Sequence, residues 1–206
     1  NIYLNEFDKE LEARGLHFTR YADDCVIYVK SEMAANRVME SVTRWLREKL
    51  RVEVNVTKTK VCRPEDTKYL GYSFYKKGVT YRPKPHLKSV QKFKEKLHRY
   101  SKRSWSVSMD YRITKLNPVI RGWINYFRIG SMKQFLDVFG QWLRHKVRVI
   151  IIKQWKKPLT IYNNLHKLNK TLKCRFNDEA IYKVANSRLG WYRRGGMDVV
   201  NFLLSP

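Results

Sequence analysis

The hydrophobic positions change period along the chain. Ile2, Tyr3, Phe7 and Leu11 recur at helical spacing, so residues 2–14 read as a short amphipathic helix stopped by Gly15. Two β-prone runs, residues 17–22 and 25–30, predict a hairpin. Its second arm, Cys25-Val26-Ile27-Tyr28-Val29, is apolar on both faces, which predicts a buried strand with helices against it. Ser31 caps an expected helix over residues 32–50, with the stripe Val38, Val42, Trp45, Leu46 and Leu50. Residues 51–56 alternate as a strand, and residues 68–75 and 79–82 read as a second hairpin across Lys76-Lys77-Gly78. Pro83 and Pro85 break the pattern. Everything after them is helical: residues 86–103, 110–127 with Pro118 as an interruption, 131–155, 158–167, 178–189 and a short C-terminal piece. In the clearest of these, residues 131–155, Phe135, Phe139, Trp142/Leu143, Val147 and Ile150/Ile151 form the apolar stripe. Asp137, Gln141, Arg144 and Arg148 form the polar one. The expected fold class is α+β, a β-α-β-β unit over residues 1–82 and an all-α unit over 83–206.

Charge separates the two parts further. Residues 1–85 hold 17 Lys and Arg against 12 Asp and Glu, a balance of +5, whereas residues 86–206 hold 26 against 6, a balance of +20. The second part is basic with aromatics interleaved, which points to a polyanionic partner, nucleic acid first. A solvated cationic surface is the alternative, but so high a charge repels itself without an anion nearby. Cys25, Cys62 and Cys174 are far apart and odd in number, so neither a disulfide framework nor a structural zinc site is expected, and a reduced cytosolic setting fits. No signal peptide is visible, and the longest aliphatic run, Val149-Ile150-Ile151-Ile152, is too short to span a bilayer. Residue 1 is Asn rather than Met, which suggests a chain cut from something longer.

The sharpest chemical feature is Tyr21-Ala22-Asp23-Asp24, two adjacent carboxylates inside the first expected hairpin. Carboxylates disfavour strand interiors, and a bare pair repels itself. A bound divalent cation offsets that cost. Mg²⁺ takes one or two protein carboxylates and leaves the rest of its shell to water and phosphate, as nucleotidyl transfer requires. Successive strand residues face opposite ways. A tight turn at the pair loosens that constraint, with Asp23 as the principal ligand and Asp24 secondary. A polar β-turn is the competing reading of Asp-Asp alone. The four-residue string arises by chance in roughly one chain of this size in a thousand.

Taken with other segments, the string carries a resemblance. Arg20-Tyr21-Ala22-Asp23-Asp24 resembles the catalytic palm hairpin of group II intron-encoded reverse transcriptase/maturases, and Val54-Asn55-Val56-Thr57-Lys58-Thr59-Lys60-Val61 the following palm strand and turn. Tyr69-Leu70-Gly71-Tyr72-Ser73-Phe74 resembles the end of the palm. Leu116-Asn117-Pro118-Val119-Ile120-Arg121-Gly122-Trp123-Ile124-Asn125-Tyr126-Phe127 resembles the maturase thumb signature. Lys153-Gln154-Trp155-Lys156-Lys157-Pro158 and Ser187-Arg188-Leu189-Gly190-Trp191-Tyr192 resemble later thumb blocks. The resemblance implies the C-terminal part of a right-hand polymerase palm over residues 1–82, and a helical thumb, or maturase X domain, over 83–206.

It further implies an RNA-directed DNA polymerase, a nucleotidyltransferase that uses two Mg²⁺ ions held by three carboxylates, and that also binds intron RNA to assist splicing and mobility. Asp23 and Asp24 match two of those three positions. The third belongs to an earlier strand that no residue here matches, and the fingers are unmatched too, so the chain alone is expected to be a poor catalyst or none. By position, Tyr21 lies near the primer terminus, with packing in the sheet as its alternative. Lys58 lies near the triphosphate, or is simply solvated. Gly71 lets the backbone approach the primer, or marks a strand bulge. Arg121 contacts phosphate or sits in a buried ion pair, while Trp123 and Phe127 are expected in the core. Arg128, Lys153, Lys156, Lys157, Arg193 and Arg194 complete the expected nucleic-acid contacts. The implied partners are intron RNA, an RNA/DNA template–primer duplex and dNTPs, in a ribonucleoprotein of the bacterial cytoplasm or an organelle, with no membrane. A non-catalytic RNA-binding maturase piece, or a degenerate remnant, is the alternative. No segment resembles an HNH endonuclease.

Overall fold

The computed structural model describes residues 2–174 and 176–205. The chain divides into two compact units, Asn1–His86 and Leu87–Pro206.

The first unit runs α1 (Asn5–Ala13), β1 (His17–Tyr21), β2 (Asp24–Tyr28), α2 (Glu32–Leu50), β3 (Tyr72–Lys77) and β4 (Thr80–Pro85). The Ala34 amide donates to Ser31 Oγ at 3.2 Å, which caps α2 at its expected start. Phe7 and Leu11 of α1 pack with Val42, Leu46 and Leu50 of α2, and Phe18, Cys25 and Ile27 of the first hairpin close over that core. β1 and β2 pair antiparallel, with Phe18 opposite Ile27 and Tyr21 opposite Asp24.

Three expectations are corrected here. β2 is not buried on both faces: Tyr28 is 40% exposed and Val26 only half-buried, because β1 and β2 form a two-stranded sheet whose Cys25–Ile27 side alone packs on the helical core. Residues 51–56 form no strand. Val52 and Val54 do turn to the core, so the alternation is real, but the segment finds no ladder partner among the described residues. The second hairpin is shifted toward the C-terminus, and β4 runs through Pro83 to Pro85 instead of stopping before them. Proline is tolerated on an edge strand, and a two-stranded sheet is all edge.

The second unit comprises α3 (Leu87–Tyr100), α4 (Met109–Phe127), α5 (Lys133–Trp155), α6 (Pro158–Thr171), α7 (Asp178–Ala185), α8 (Trp191–Gly195) and α9 (Asp198–Leu203). It has two cores. Phe93, Leu97, Leu116 and Phe139 join α3, α4 and the start of α5, with Trp123 stacked 4.4 Å from Phe93. Ile152, Ile161, Leu165, Ile181, Val184 and Val200 join the end of α5 to α6, α7 and α9. α5, about 34 Å long at the usual rise, serves both.

That double duty corrects its expected stripe. Val149, Ile150 and Ile152 are buried, and Arg148, placed on the polar stripe, is 7% exposed. A helix covered by neighbours on more than one side loses its polar face. Pro118 does not interrupt α4, which continues through it. Packing of Leu116, Val119, Ile120 and Trp123 on the α3–α5 core offsets the lost backbone hydrogen bond. α8 approaches α5 at Gly195, where an added Cβ would stand 2.7 Å from Val149 Cγ2.

Candidate functional site

The Asp pair sits at the end of the first hairpin, but the turn is one residue earlier than the sequence suggests. Tyr21 pairs with Asp24, so Ala22 and Asp23 are the two loop residues and Asp24 opens β2. Paired residues share a face, which puts Asp24 beside Tyr21 on the side away from the core. Both carboxylates and Tyr21 are exposed. Ala22 has φ +52°, a left-handed conformation that glycine normally supplies at this loop position. Such strain persists only where surrounding contacts hold it, and it concentrates at functional sites.

Arg20 is the contact that holds it, and sequence reasoning missed it. Its Nε donates to Asp8 Oδ1 at 2.6 Å, a second nitrogen bonds Asp8 Oδ2, and a third reaches the Ala22 carbonyl at 2.8 Å. The hydrogen bond from Arg20 holds the Asp8 carboxyl below its usual range. The guanidinium therefore ties the strained loop to α1. Beneath the pair, burial pushes the Cys25 thiol up to about 11, so it stays protonated and acts as a packing group.

Two exposed carboxylates that form no ion pair among the described residues suit Mg²⁺, for which protein supplies one or two oxygens and substrate the others. No group of three His, Cys, Asp or Glu gathers to hold a metal among the described residues. The donor set thus fits Mg²⁺ with two ligands from this chain, Asp23 and Asp24.

Lys58 lies in an Asx turn. Asn55 Oδ1 accepts from the amides of Thr57 and Lys58 at 3.1 and 3.2 Å, which leaves the Lys58 side chain exposed. Gly71 is no bulge. Tyr69 and Tyr72 exchange backbone hydrogen bonds of 3.0 and 2.8 Å across Leu70 and Gly71, at φ +48° and +81°. Two positive values in a two-residue turn explain the glycine.

The expected nucleic-acid contacts divide in two. Arg121, Arg128, Lys156, Lys157 and Arg193 are exposed, so Arg121 is not in a buried ion pair. Lys156 and Lys157 occupy the turn between α5 and α6. Lys153 and Arg194 are half-buried and bond carbonyls of the fold itself. Lys153 Nζ donates to the Arg103 carbonyl at 3.3 Å. Arg194 lies 5.0 Å from the Trp191 ring and donates to the Ser187 carbonyl.

The comparisons with known families find one match within each of the two units. The model of the reverse transcriptase (RNA-dependent DNA polymerase) family matches residues 1–74. The model of the group II intron, maturase-specific domain matches residues 90–170. No curated protein matches the chain. Carrying these two domains in this order, the chain belongs to the group II intron reverse transcriptase/maturase family.

Proposed function

We propose that the chain serves an RNA-directed DNA polymerase that also binds intron RNA to assist splicing and mobility. The observation that carries the polymerase reading is the exposed Asp23–Asp24 pair at a two-residue loop, strained at Ala22 and tethered by Arg20. Bound Mg²⁺ would activate the primer hydroxyl and neutralise the leaving pyrophosphate. Asp23 and Asp24 supply the oxygens that hold it. Arg20 and Asp8 keep the loop in place, so little reorganisation is needed when substrate arrives. Tyr21, on the Asp24 face, positions the primer end, Lys58 offers positive charge to the triphosphate, and Gly71 admits the primer backbone. In the second unit Arg121, Arg128, Lys156, Lys157 and Arg193 contact phosphate in intron RNA or the template–primer duplex.

A second reading, an RNA-binding maturase without polymerisation, draws on a different observation: 26 Lys and Arg against 6 Asp and Glu in the second unit, while no group of three metal-ligating side chains gathers among the described residues. One experiment separates the two readings. Primer extension on an RNA template is measured in the protein that contains this chain, beside splicing of its intron. Asp23→Ala/Asp24→Ala should lower extension on the order of a thousand-fold and leave RNA affinity within about twofold. Unchanged extension would remove the metal assignment.

A further inference from the structure

The turn joining α3 to α4, residues 101–108, carries a feature that the proposed function leaves unused. A solvent-facing cavity of about 550 Å³ lies there, within the range of small-ligand sites. Arg99, Lys102 and Lys115 line it together with Tyr100, Trp105 and Tyr111, and no acid does. The rings form a connected array, with centres 5.7 Å apart for Tyr100–Trp105 and 5.9 Å for Trp105–Tyr111. Lys115 Nζ stands 5.2 Å from the Tyr111 ring centre.

This array is built from below. Arg112 is fully buried, yet it touches no carboxylate among the described residues. Its guanidinium lies 5.0 Å from the Trp105 ring and donates to the carbonyls of Tyr100, Lys102 (3.1 Å) and Trp105 (2.6 Å). Ser108 caps α4 by accepting from the Tyr111 amide at 3.2 Å. The loop's shape is therefore set before anything binds, which lowers the ordering cost of binding.

Rings edged by cations match the two parts of a nucleotide: a base stacks on the aromatic face, and the phosphate meets the charge. A fully paired duplex offers phosphates but keeps its base faces stacked inside. We propose that this cavity captures one unpaired nucleotide, such as a bulged or looped-out residue of a bound RNA. The inference rests on the RNA-binding reading of the second unit and adds to it a site that distinguishes unpaired from paired strands.

The test is fluorescence anisotropy of the whole chain with four labelled probes: an RNA hairpin bearing one bulged nucleotide, its fully paired counterpart, and DNA copies of both. Trp105→Ala should weaken binding to a bulged hairpin about 10-fold and change the paired hairpin less than about twofold. Trp105→Phe should restore most of the loss. Whichever bulged probe shows the effect, RNA or DNA, identifies the source of the nucleotide. Tyr111→Leu removes an exposed ring without disturbing the Arg112 contacts, and should give the same selective loss if Trp105→Ala lowers the melting temperature. Equal losses on bulged and paired probes, or none on either, would overturn the proposal. Failure of the wider RNA-binding reading looks different: the unaltered chain would bind no probe at any salt concentration.

Discussion

Arg20 in the first unit and Arg112, Arg148 and Arg194 in the second show two ways of removing a guanidinium from water. Arg20 meets a carboxylate, Asp8, at 2.6 Å. The other three donate to backbone carbonyls: Arg112 to those of Tyr100, Lys102 and Trp105, Arg148 to that of Leu204, and Arg194 to that of Ser187. Both arrangements supply hydrogen bonds, although the Nε groups of Arg112 and Arg194 meet no acceptor among the described residues. They differ in net charge. A carboxylate cancels the arginine, whereas a carbonyl leaves the full +1 inside the fold. The second unit has 6 acids for 26 cations, so most of its cations have no acid to meet. Uncancelled cations repel one another, and a polyanion beside such a unit would relieve that repulsion.

The comparison can be broken first at Arg112. Arg112→Ala removes the hydrogen bonds to three carbonyls, of which those of Lys102 and Trp105 keep a backbone amide, and empties a buried volume. The second unit should lose about 3 kcal/mol, read as a lowered melting midpoint. A loss under about 1 kcal/mol would mean that the carbonyls find water instead. Gly195→Ala tests the close approach of α8 to α5. The new Cβ meets Val149 at 2.7 Å, and stiff, buried Val149 cannot yield easily, so about 2 kcal/mol should be lost. In the first unit, Asp8→Asn should cost about 1 kcal/mol. It should also shift the amide resonances of Ala22 and Asp23, since Arg20 then loses the anchor that holds it on the Ala22 carbonyl. Unmoved resonances would mean that the loop holds itself.

Acid sharpens the contrast more gently. Burial, then the charges of Arg148 and Lys146, hold His145 below its ordinary 6.5. Its contribution is whole above pH 6.5 and is lost as pH falls through the lower folded value. The Arg20 hydrogen bond holds Asp8 below 3.8, so that contribution is whole above pH 3.8 and is lost only as pH falls through a still lower value. Hydrogen exchange followed down the pH scale should therefore show the second unit loosening first, and His145→Gln should flatten its response. The reverse order would contradict the assignment.

Much of this was legible in the sequence, and the misses have a common cause. The helices could be read because their stripes are local, and the first hairpin because β-prone runs flank the Asp pair. Its turn was misplaced by one residue because Ala22, not glycine, adopts the positive φ. Residues 51–56 alternate correctly, but a strand also needs a neighbour, and pairing is not local. Arg148 was read as surface because the carbonyl that holds it, that of Leu204, lies 56 residues further along the chain. Arg20 and Asp8, 12 residues apart, carry no mark of their contact. Among the residues expected to touch nucleic acid, Lys153 and Arg194 look like the exposed cations in sequence and differ only in what the fold sets beside them.

The central claim is that the second unit keeps its charge for a nucleic-acid backbone. Its most direct measurement is the salt dependence of RNA affinity for the whole chain and for Lys156→Gln/Lys157→Gln/Arg193→Gln. With these three cations, Arg121 and Arg128 on phosphate, the log–log slope should be roughly −4.5, and the triple variant should flatten it by about 3. An affinity indifferent to salt, or a slope that the three substitutions leave unchanged, would contradict the account.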